Sequence, residues 1–369
     1  MITVTPVRDR RGRRQFVDVP YALYRGHPHW VPPLRVMEHA RFKPGNPFLE
    51  HADVQLFLAW NDGRPFGRIA AIDDRLHNDT HQDNLASFGH FEAGNEEAAR
   101  ALLAAAEAWA RHRGRGRIRG PLNSSLNETA GLLVDAFDAD PMLMMPYNPP
   151  AYAGFVERAG YGKAKDLLAW IIDLPGAVHT ERLARVVAWF RSRHGLTIRS
   201  VDLSAFDAEI ERFVDVYCRA WSRNWGFVRP TPAEVRQLAS ELRHVVDTDL
   251  VTAAEVDGRL VGCAIALPDL NQVFKGTNGR LFPLGLVKLL ARKRIVTQVR
   301  LLLFGVIPEW RGTGLAAPLV VELLTRASRR YTRAELSWVL EDNDLTNESV
   351  ATLGGRRYKT YRVYEKELA

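Results

Sequence analysis

The stretch from Arg300 to Arg329 constrains this chain more than any other. Arg300 to Val306 is a nearly unbroken apolar run, the pattern of a strand buried on both faces. It passes through Pro308 into Arg311-Gly312-Thr313-Gly314 and then directly into the amphipathic pattern Leu315 to Arg329. A buried strand feeding a helix through a glycine turn calls for a sheet covered by helices, an α/β fold of the α+β type with mixed sheets. Successive N–H groups of such a turn, with the free donors and positive end of the helix, can cradle a pyrophosphate. Glycine suits the turn because a side chain would hold the phosphate away from the backbone.

The rest of the C-terminal half supplies a frame. Strand Leu196 to Val201, helices Ala205 to Trp221 and Pro232 to Val246, and a hairpin of Leu250 to Glu255 with Leu260 to Leu267 across Asp257-Gly258 precede the turn. Strand Ala334 to Leu340, an Asn-rich helix start and the stretch Tyr358 to Glu365 follow it. In the N-terminal half, strand Ile2 to Val7, helix Phe16 to Tyr24, a hairpin of Gln55 to Trp60 with Gly67 to Ile72 across Asp62-Gly63, and strand Leu85 to Phe91 come in similar order. The helix Ala98 to Arg111, with Asn95 as its cap and acids in its first turn, then leads to strand Arg117 to Arg119, helix Tyr152 to Ala159 and strand Leu167 to Asp173. Element order alone suggests one fold used twice. Leu174-Pro175-Gly176-Ala177 stops regular structure before a new helical pattern, Glu181 to Arg193, which divides the chain into domains 1–176 and 177–369.

A chain of 369 residues, 46% hydrophobic and 25% charged, has room for two cores. Cys218 and Cys263 sit in apolar or helical pattern, so neither a disulfide nor a metal site is expected. The arginines that follow Met1 to Pro6 stand where an export signal needs apolar residues, and no apolar run is long enough to span a bilayer. The expected location is cytoplasmic. A net charge of +7 favours an anionic partner: a phosphate-rich cofactor, a nucleic acid or a membrane surface.

The spacing of the turn is neither a nucleotide P-loop nor a dinucleotide fingerprint. Arg311-x-x-Gly314-x-Ala316, with its lead-in Val306-x-Pro308-Glu309-Trp310, resembles the central motif of the GNAT acyltransferase superfamily. The resemblance implies two tandem GNAT-like domains, a cofactor of acyl-CoA (acetyl-CoA or a longer chain) and N-acyltransfer to an amine. It implies that backbone at Val306 pairs with pantetheine and that amides of Gly312, Thr313, Gly314, Leu315 and Ala316 hold the pyrophosphate, with Asn343 and Asn347 in the region where relatives touch the cofactor. Phe91-Glu92-Ala93-Gly94-Asn95, at the equivalent place in the first half, lacks the arginine and the second small residue, so that half reads as a degenerate copy. One acyl-CoA per chain is the expectation.

Amide formation needs a neutral amine, a route for its proton and a polarised thioester carbonyl. Glu341 and Asp342 end the strand after the loop's helix, and Asp269 with Asn271 lies beyond the hairpin. Capping and general-base chemistry both suit Glu341-Asp342-Asn343. The tyrosine that serves many relatives as general acid is replaced by an apolar position near Val350; Tyr358, Tyr361 and Tyr364 are substitutes, although their alternation also fits an amphipathic strand. Trp221 and Asn224, in an aromatic and polar cluster at a helix end, either wall an acceptor pocket or pack the core.

Between the hairpin and the loop's strand lies an insertion, Gln272 to Ile295, in which apolar residues precede a basic cluster. It reads either as a segment for an anionic membrane or greasy ligand, or as a packed helix. Asn46 to Ala52, Gly120 to Asn123, Gly131 to Asp135, Met145 to Pro150 and Lys163 to Leu167 resemble a family of bacterial tandem GNAT-like proteins over essentially the whole chain, some of whose members resemble a ceramide synthase. A small-molecule or lipid amine, with peripheral contact at the inner face of the membrane, is the implied acceptor setting. Alternatives are an aminoacyl-tRNA-dependent transferase, resting on the basic run Arg111 to Arg119, and a non-catalytic module that binds CoA or lipid. Basic runs are usually solvated faces, so a nucleic-acid partner is not expected.

Overall fold

The computed structural model describes residues 1–174, 185, 188–190, 192–193, 195–243 and 245–368. Most residues of the helix expected over Glu181 to Arg193 and of the break at 174–177 fall outside the described ones. The chain forms two compact units, the first of residues 1–168, 271–291 and 359–369 and the second of 169–270 and 292–358. These groups differ from a single cut near residue 176 in two places: the 271–291 segment and the chain's last residues go with the first unit.

In the first unit, strands Ile2–Pro6, Ala52–Asn61, Arg64–Asp74 and Leu85–Ala93 pair antiparallel in chain order. Strand Arg117–Gly120 then lies parallel to the fourth, from Leu85↔Arg117 to Ser87↔Arg119. Asp62 at φ 49° and Gly63 at φ 73° make the first hairpin, the left-handed pair that a two-residue turn between twisted strands requires. The helix Glu96–His112 joins the fourth and fifth strands; Asn95 caps it by accepting from the Ala98 N–H at 2.9 Å. Its Ala98, Leu102, Leu103, Ala106 and Ala110 are buried on the sheet, each small or straight-chained enough for close packing. Two elements are longer or newer than the apolar periodicity suggests. The first helix runs Arg10–Leu23 because Asp9 accepts from the Gly12 N–H at 2.7 Å, and a helix at Arg75–His81 is started by Asp74.

The second unit repeats that order. Strands Thr197–Ser200, Val251–Val256, Arg259–Pro268 and Gln298–Val306 pair antiparallel, and Arg333–Leu340 lies parallel to the last. Asp257 at φ 49° and Gly258 at φ 76° reproduce the first unit's hairpin turn. Helix Ala316–Ser328 joins the parallel strands and packs on Val251–Val256 and Arg259–Pro268. Side chains alternate across a strand, so Gly262 meets Leu319 of that helix while Gly305 meets Ala220 of helix Phe206–Trp221 on the other face. A Cβ on Gly305 would lie 2.9 Å from Ala220 Cβ, which is why a glycine interrupts an otherwise apolar strand there. The helix expected over Pro232 to Val246 ends at Leu242; Thr231 and Glu234 form a reciprocal capping box at its start.

Candidate functional site

The parallel strands Gln298–Val306 and Arg333–Leu340 pair from Gln298↔Arg333 to Leu301↔Leu336, and the pairing ends there while both strands continue. Beyond that point the first strand keeps its antiparallel partner on one edge only, ending at Gly262↔Val306. The other edge presents backbone groups that no parallel neighbour takes. An extended ligand can add to such an edge as a further strand would.

The glycine turn follows at the same end. Gly312 and Gly314 have φ of 73° and 97°, values at which a β-carbon is strained. Among the described residues, a Cβ on Gly312 would meet nothing within 4 Å and one on Gly314 only Phe190 at 3.9 Å, so these leave the turn open above its backbone. Among the described residues the N–H groups of Gly312 through Ala316 donate to no backbone acceptor, and they head a 13-residue helix. Those donors and the helix dipole suit a pyrophosphate.

Side chains at the turn hold its shape. The Arg311 guanidinium donates to the Ala220 carbonyl, and Thr313 Oγ1 donates to the Trp310 carbonyl at 2.8 Å. Leu315 is fully buried. The contribution of Gly312 to Ala316 to a ligand is thus one of backbone, and Arg311 locks the turn to the end of helix Phe206–Trp221. Trp221 Nε1 donates to the Phe304 carbonyl at 3.0 Å, and Asn224 receives the Phe227 N–H on its carbonyl at 3.1 Å within the turn that ends that helix.

Register separates the three carboxylates singled out in the sequence. Glu341 and Asp342 leave the C-terminal end of a strand parallel to the loop's strand, so they stand at the same edge as the glycine turn. Asp269 does not. Its N–H bonds to the Gln298 carbonyl at 2.9 Å, at the start of the nine-residue loop strand and so roughly 25 Å from that strand's far end at ~3.3 Å per residue. Asn271 belongs to the first unit, where its Nδ2 donates to the Pro141 carbonyl at 2.8 Å.

Asn343 caps helix Asp344–Thr352, its side-chain oxygen accepting from the Thr346 N–H at 3.2 Å. Asn347 is committed on both ends, donating to the Leu340 carbonyl at 3.0 Å and accepting from Trp170 Nε1 at 3.0 Å. Val350, in place of the tyrosine of many relatives, is buried. Of the tyrosines offered as substitutes, Tyr358 lies in the second unit and Tyr361 and Tyr364 in the first.

A buried polar group went unseen in the sequence. Arg300 is 3% exposed and Glu335 fully buried, on opposed positions of the parallel pair. Arg300 Nε donates to Ser337 Oγ at 2.9 Å, Ser337 Oγ donates to Glu335 at 2.6 Å, and the Tyr358 hydroxyl donates to the other Glu335 oxygen. This network sits where the two strands begin to part. The only hint in the sequence was charge within strands whose neighbours are apolar.

The equivalent place in the first unit is closed. The Gly94 N–H donates to the Phe66 carbonyl at 2.9 Å, and a Cβ there would run into the Phe66 ring at 2.3 Å. Glu92, beside it, accepts from the Tyr24 and Tyr152 hydroxyls at 2.6 and 3.1 Å, and burial pushes its carboxyl above the usual range. The Phe66 ring leaves a phosphate no room beside Gly94, whose N–H is already taken.

Comparison with known proteins bears on the same arrangement. Over 379 aligned residues the chain is 39% identical to the bacterial ceramide synthase of Caulobacter vibrioides, covering 100% of this chain and 98% of that one. The chain belongs to this family of bacterial tandem GNAT-fold proteins. A second family member, protein YghO of Escherichia coli, is 33% identical over 96% of this chain and 93% of its own. No family model matches the chain. Among solved structures, a tandem GNAT protein from the clavulanic acid biosynthesis pathway superposes with a TM-score of 0.57 at 15% identity, over 100% of this chain and 99% of its own. A GCN5-related N-acetyltransferase from Sphaerobacter thermophilus gives 0.53 at 13% identity, over 100% and 96%. At those identities the likeness is one of fold, and the fold is that of N-acyltransferases. No helix among the described residues is long and apolar enough to cross a membrane.

Proposed function

We propose that the chain transfers an acyl group from acyl-CoA to the amine of a lipid, as the name of its ceramide synthase relative suggests for a sphingoid acceptor. The donor half of this reading is carried by the uncommitted N–H groups of Gly312 to Ala316 at the head of a helix, beyond two strands that part. The pyrophosphate would bond those amides, and the pantetheine arm would run along the free edge of the loop strand to Val306. The first unit, whose counterpart turn is filled by Phe66, would take no second donor.

In this reading the amine enters as an ammonium and gives up a proton before attacking the thioester carbonyl carbon. Glu341, half-buried at the edge of the turn, is the assigned acceptor of that proton, with Asp342 beside it. Collapse of the tetrahedral intermediate breaks the C–S bond, and the CoA thiolate leaves and takes up the second proton that the nitrogen sheds as the amide forms. Asp269 has no part in this step, since it sits at the other end of the strand. The setting proposed is cytoplasmic, with an amine-bearing lipid as partner and no nucleic acid.

The test measures thiol release from acetyl-CoA and from long-chain acyl-CoA against a panel of amines that includes sphinganine. Release that depends on both acyl-CoA and amine is expected, and Gly314→Trp should weaken acyl-CoA binding by about tenfold or more, since its side chain would fill the turn. If neither protein binds or consumes any acyl-CoA, the proposal fails.

A further inference from the structure

Among the described residues, exposed large apolar side chains are densest between Phe282 and Leu290. Phe282, Leu284, Val287 and Leu290 are 78%, 70%, 63% and 74% exposed. The last three lie on helix Leu284–Leu290, whose buried side carries Gly285. The helix therefore inverts the usual arrangement: at 3.6 residues per turn its outward face is leucine and valine. Two further exposed apolar residues of the same unit, Val36 and Met37, follow Arg35, whose N–H bonds the Gly279 carbonyl at 3.0 Å.

The segment's own charges have one sign, although Lys275 is paired with Asp140. No aspartate or glutamate occurs between Asp269 and Glu309, in a chain that has 43 of them. The same stretch carries Lys275, Arg280, Lys288, Arg292, Lys293 and Arg294. Arg280 is exposed beside Phe282, and Lys288 lies half-buried on the helix itself. An exposed apolar segment whose own charged residues are all cations complements a sheet of anionic headgroups above hydrocarbon.

We propose that Phe282 to Leu290 is a membrane-docking surface, which inserts its apolar side chains among the lipids of an anionic bilayer while the neighbouring arginines and lysines hold the headgroups. The proposal is independent of the acyltransfer reaction, and its test does not measure activity. It would put the acyltransferase of the proposed reading against the phase in which a long-chain amine resides.

The experiment is co-sedimentation of the full chain with vesicles of phosphatidylglycerol and phosphatidylethanolamine, set against vesicles of phosphatidylcholine alone. The chain is expected to bind the anionic vesicles and to lose most of that binding at high salt. Phe282→Asp combined with Leu290→Asp should weaken binding by about tenfold or more, and Arg280→Glu should do the same for anionic vesicles only. These changes lie on exposed side chains, so an unaltered melting temperature and near-ultraviolet circular dichroism should accompany the loss. Binding that is absent in the unaltered protein, or unchanged in the apolar variant, overturns the proposal. So does a dimer in light scattering that Phe282→Asp with Leu290→Asp converts to monomer, since the face would then cover a second copy of the chain.

Discussion

Arg300 and Glu335 face each other in register on the parallel strands of the second unit, both buried, with the Ser337 hydroxyl bridging them. Neither charge has water to return to, so the stability of the pair rests on each partner being present. Glu335→Ala leaves the guanidinium uncompensated and should cost about 3–5 kcal/mol, seen as a lower denaturation midpoint in urea. Tyr358→Phe removes one donor to a carboxylate that keeps Ser337, and should cost about 1–3 kcal/mol. A Tyr358→Phe protein with unchanged stability would show that the hydroxyl is not part of the network.

Asn347 separates a structural role from a cofactor role. Both ends of its amide are used, by the Leu340 carbonyl and by Trp170 Nε1, so Asn347→Ala breaks two internal hydrogen bonds. A loss of about 1–3 kcal/mol is expected in thermal or urea unfolding. The dissociation constant for acyl-CoA, measured by titration calorimetry well below the melting temperature, should change little. A large loss of affinity at intact stability would return Asn347 to the donor site.

These two cases mark how far the residues could be read in advance. Local signals were legible: Asp62-Gly63 and Asp257-Gly258 form the hairpin turns that their left-handed preference requires, and Asn95 caps the helix that its Ala-rich face announces. The glycine turn was legible too, because positive φ and an open approach leave a mark on residue type. Partnerships across strands were not. That Asn347 would meet Trp170, or Arg300 meet Glu335, depends on which strands become neighbours, and side-chain type carries no such address. The position of Asp269 was lost for the same reason: proximity in sequence to a hairpin says nothing of which end of the sheet it occupies until the register is known. Arg10 to Arg14 hid the first turns of a helix, since a polar N-terminal turn capped by Asp9 has no apolar periodicity.

Gly94 gives a prediction about the unit that lacks the donor turn. The Phe66 ring fills the volume a side chain would need, at 2.3 Å from the position of a Cβ, so Gly94→Ala must displace an aromatic ring packed against the first unit's core. A loss of about 1–3 kcal/mol is expected, as for other overpacked sites. Affinity for acyl-CoA should be retained, because the donor is assigned to the second unit. The measurement is unfolding by urea alongside acyl-CoA binding, and loss of binding at full stability would revive a site in the first half.

Acid sensitivity should be traceable to His77. Burial, followed by the nearby His81 and Arg119, lowers its imidazole from 6.5 to about 4, and Asp83 at 3.9 Å is too distant to donate to or to restore it. Below pH 6.5 the unfolded chain takes up a proton at this position while the folded chain does not, so protonation favours unfolding. The folded state keeps its full advantage above pH 6.5, loses it progressively as pH falls toward 4, and loses no more below that value, where both states are protonated. A displacement of this size amounts to roughly 3 kcal/mol at most. His90, buried and also held well below 6.5, acts in the same direction and remains in the comparison. The stability of His77→Phe should therefore decline less steeply than that of the unaltered chain between pH 6.5 and 4, in urea titrations at several pH values. Parallel declines would mean that His77 is charged in the folded protein, with Asp74 and Asp83 outweighing its burial.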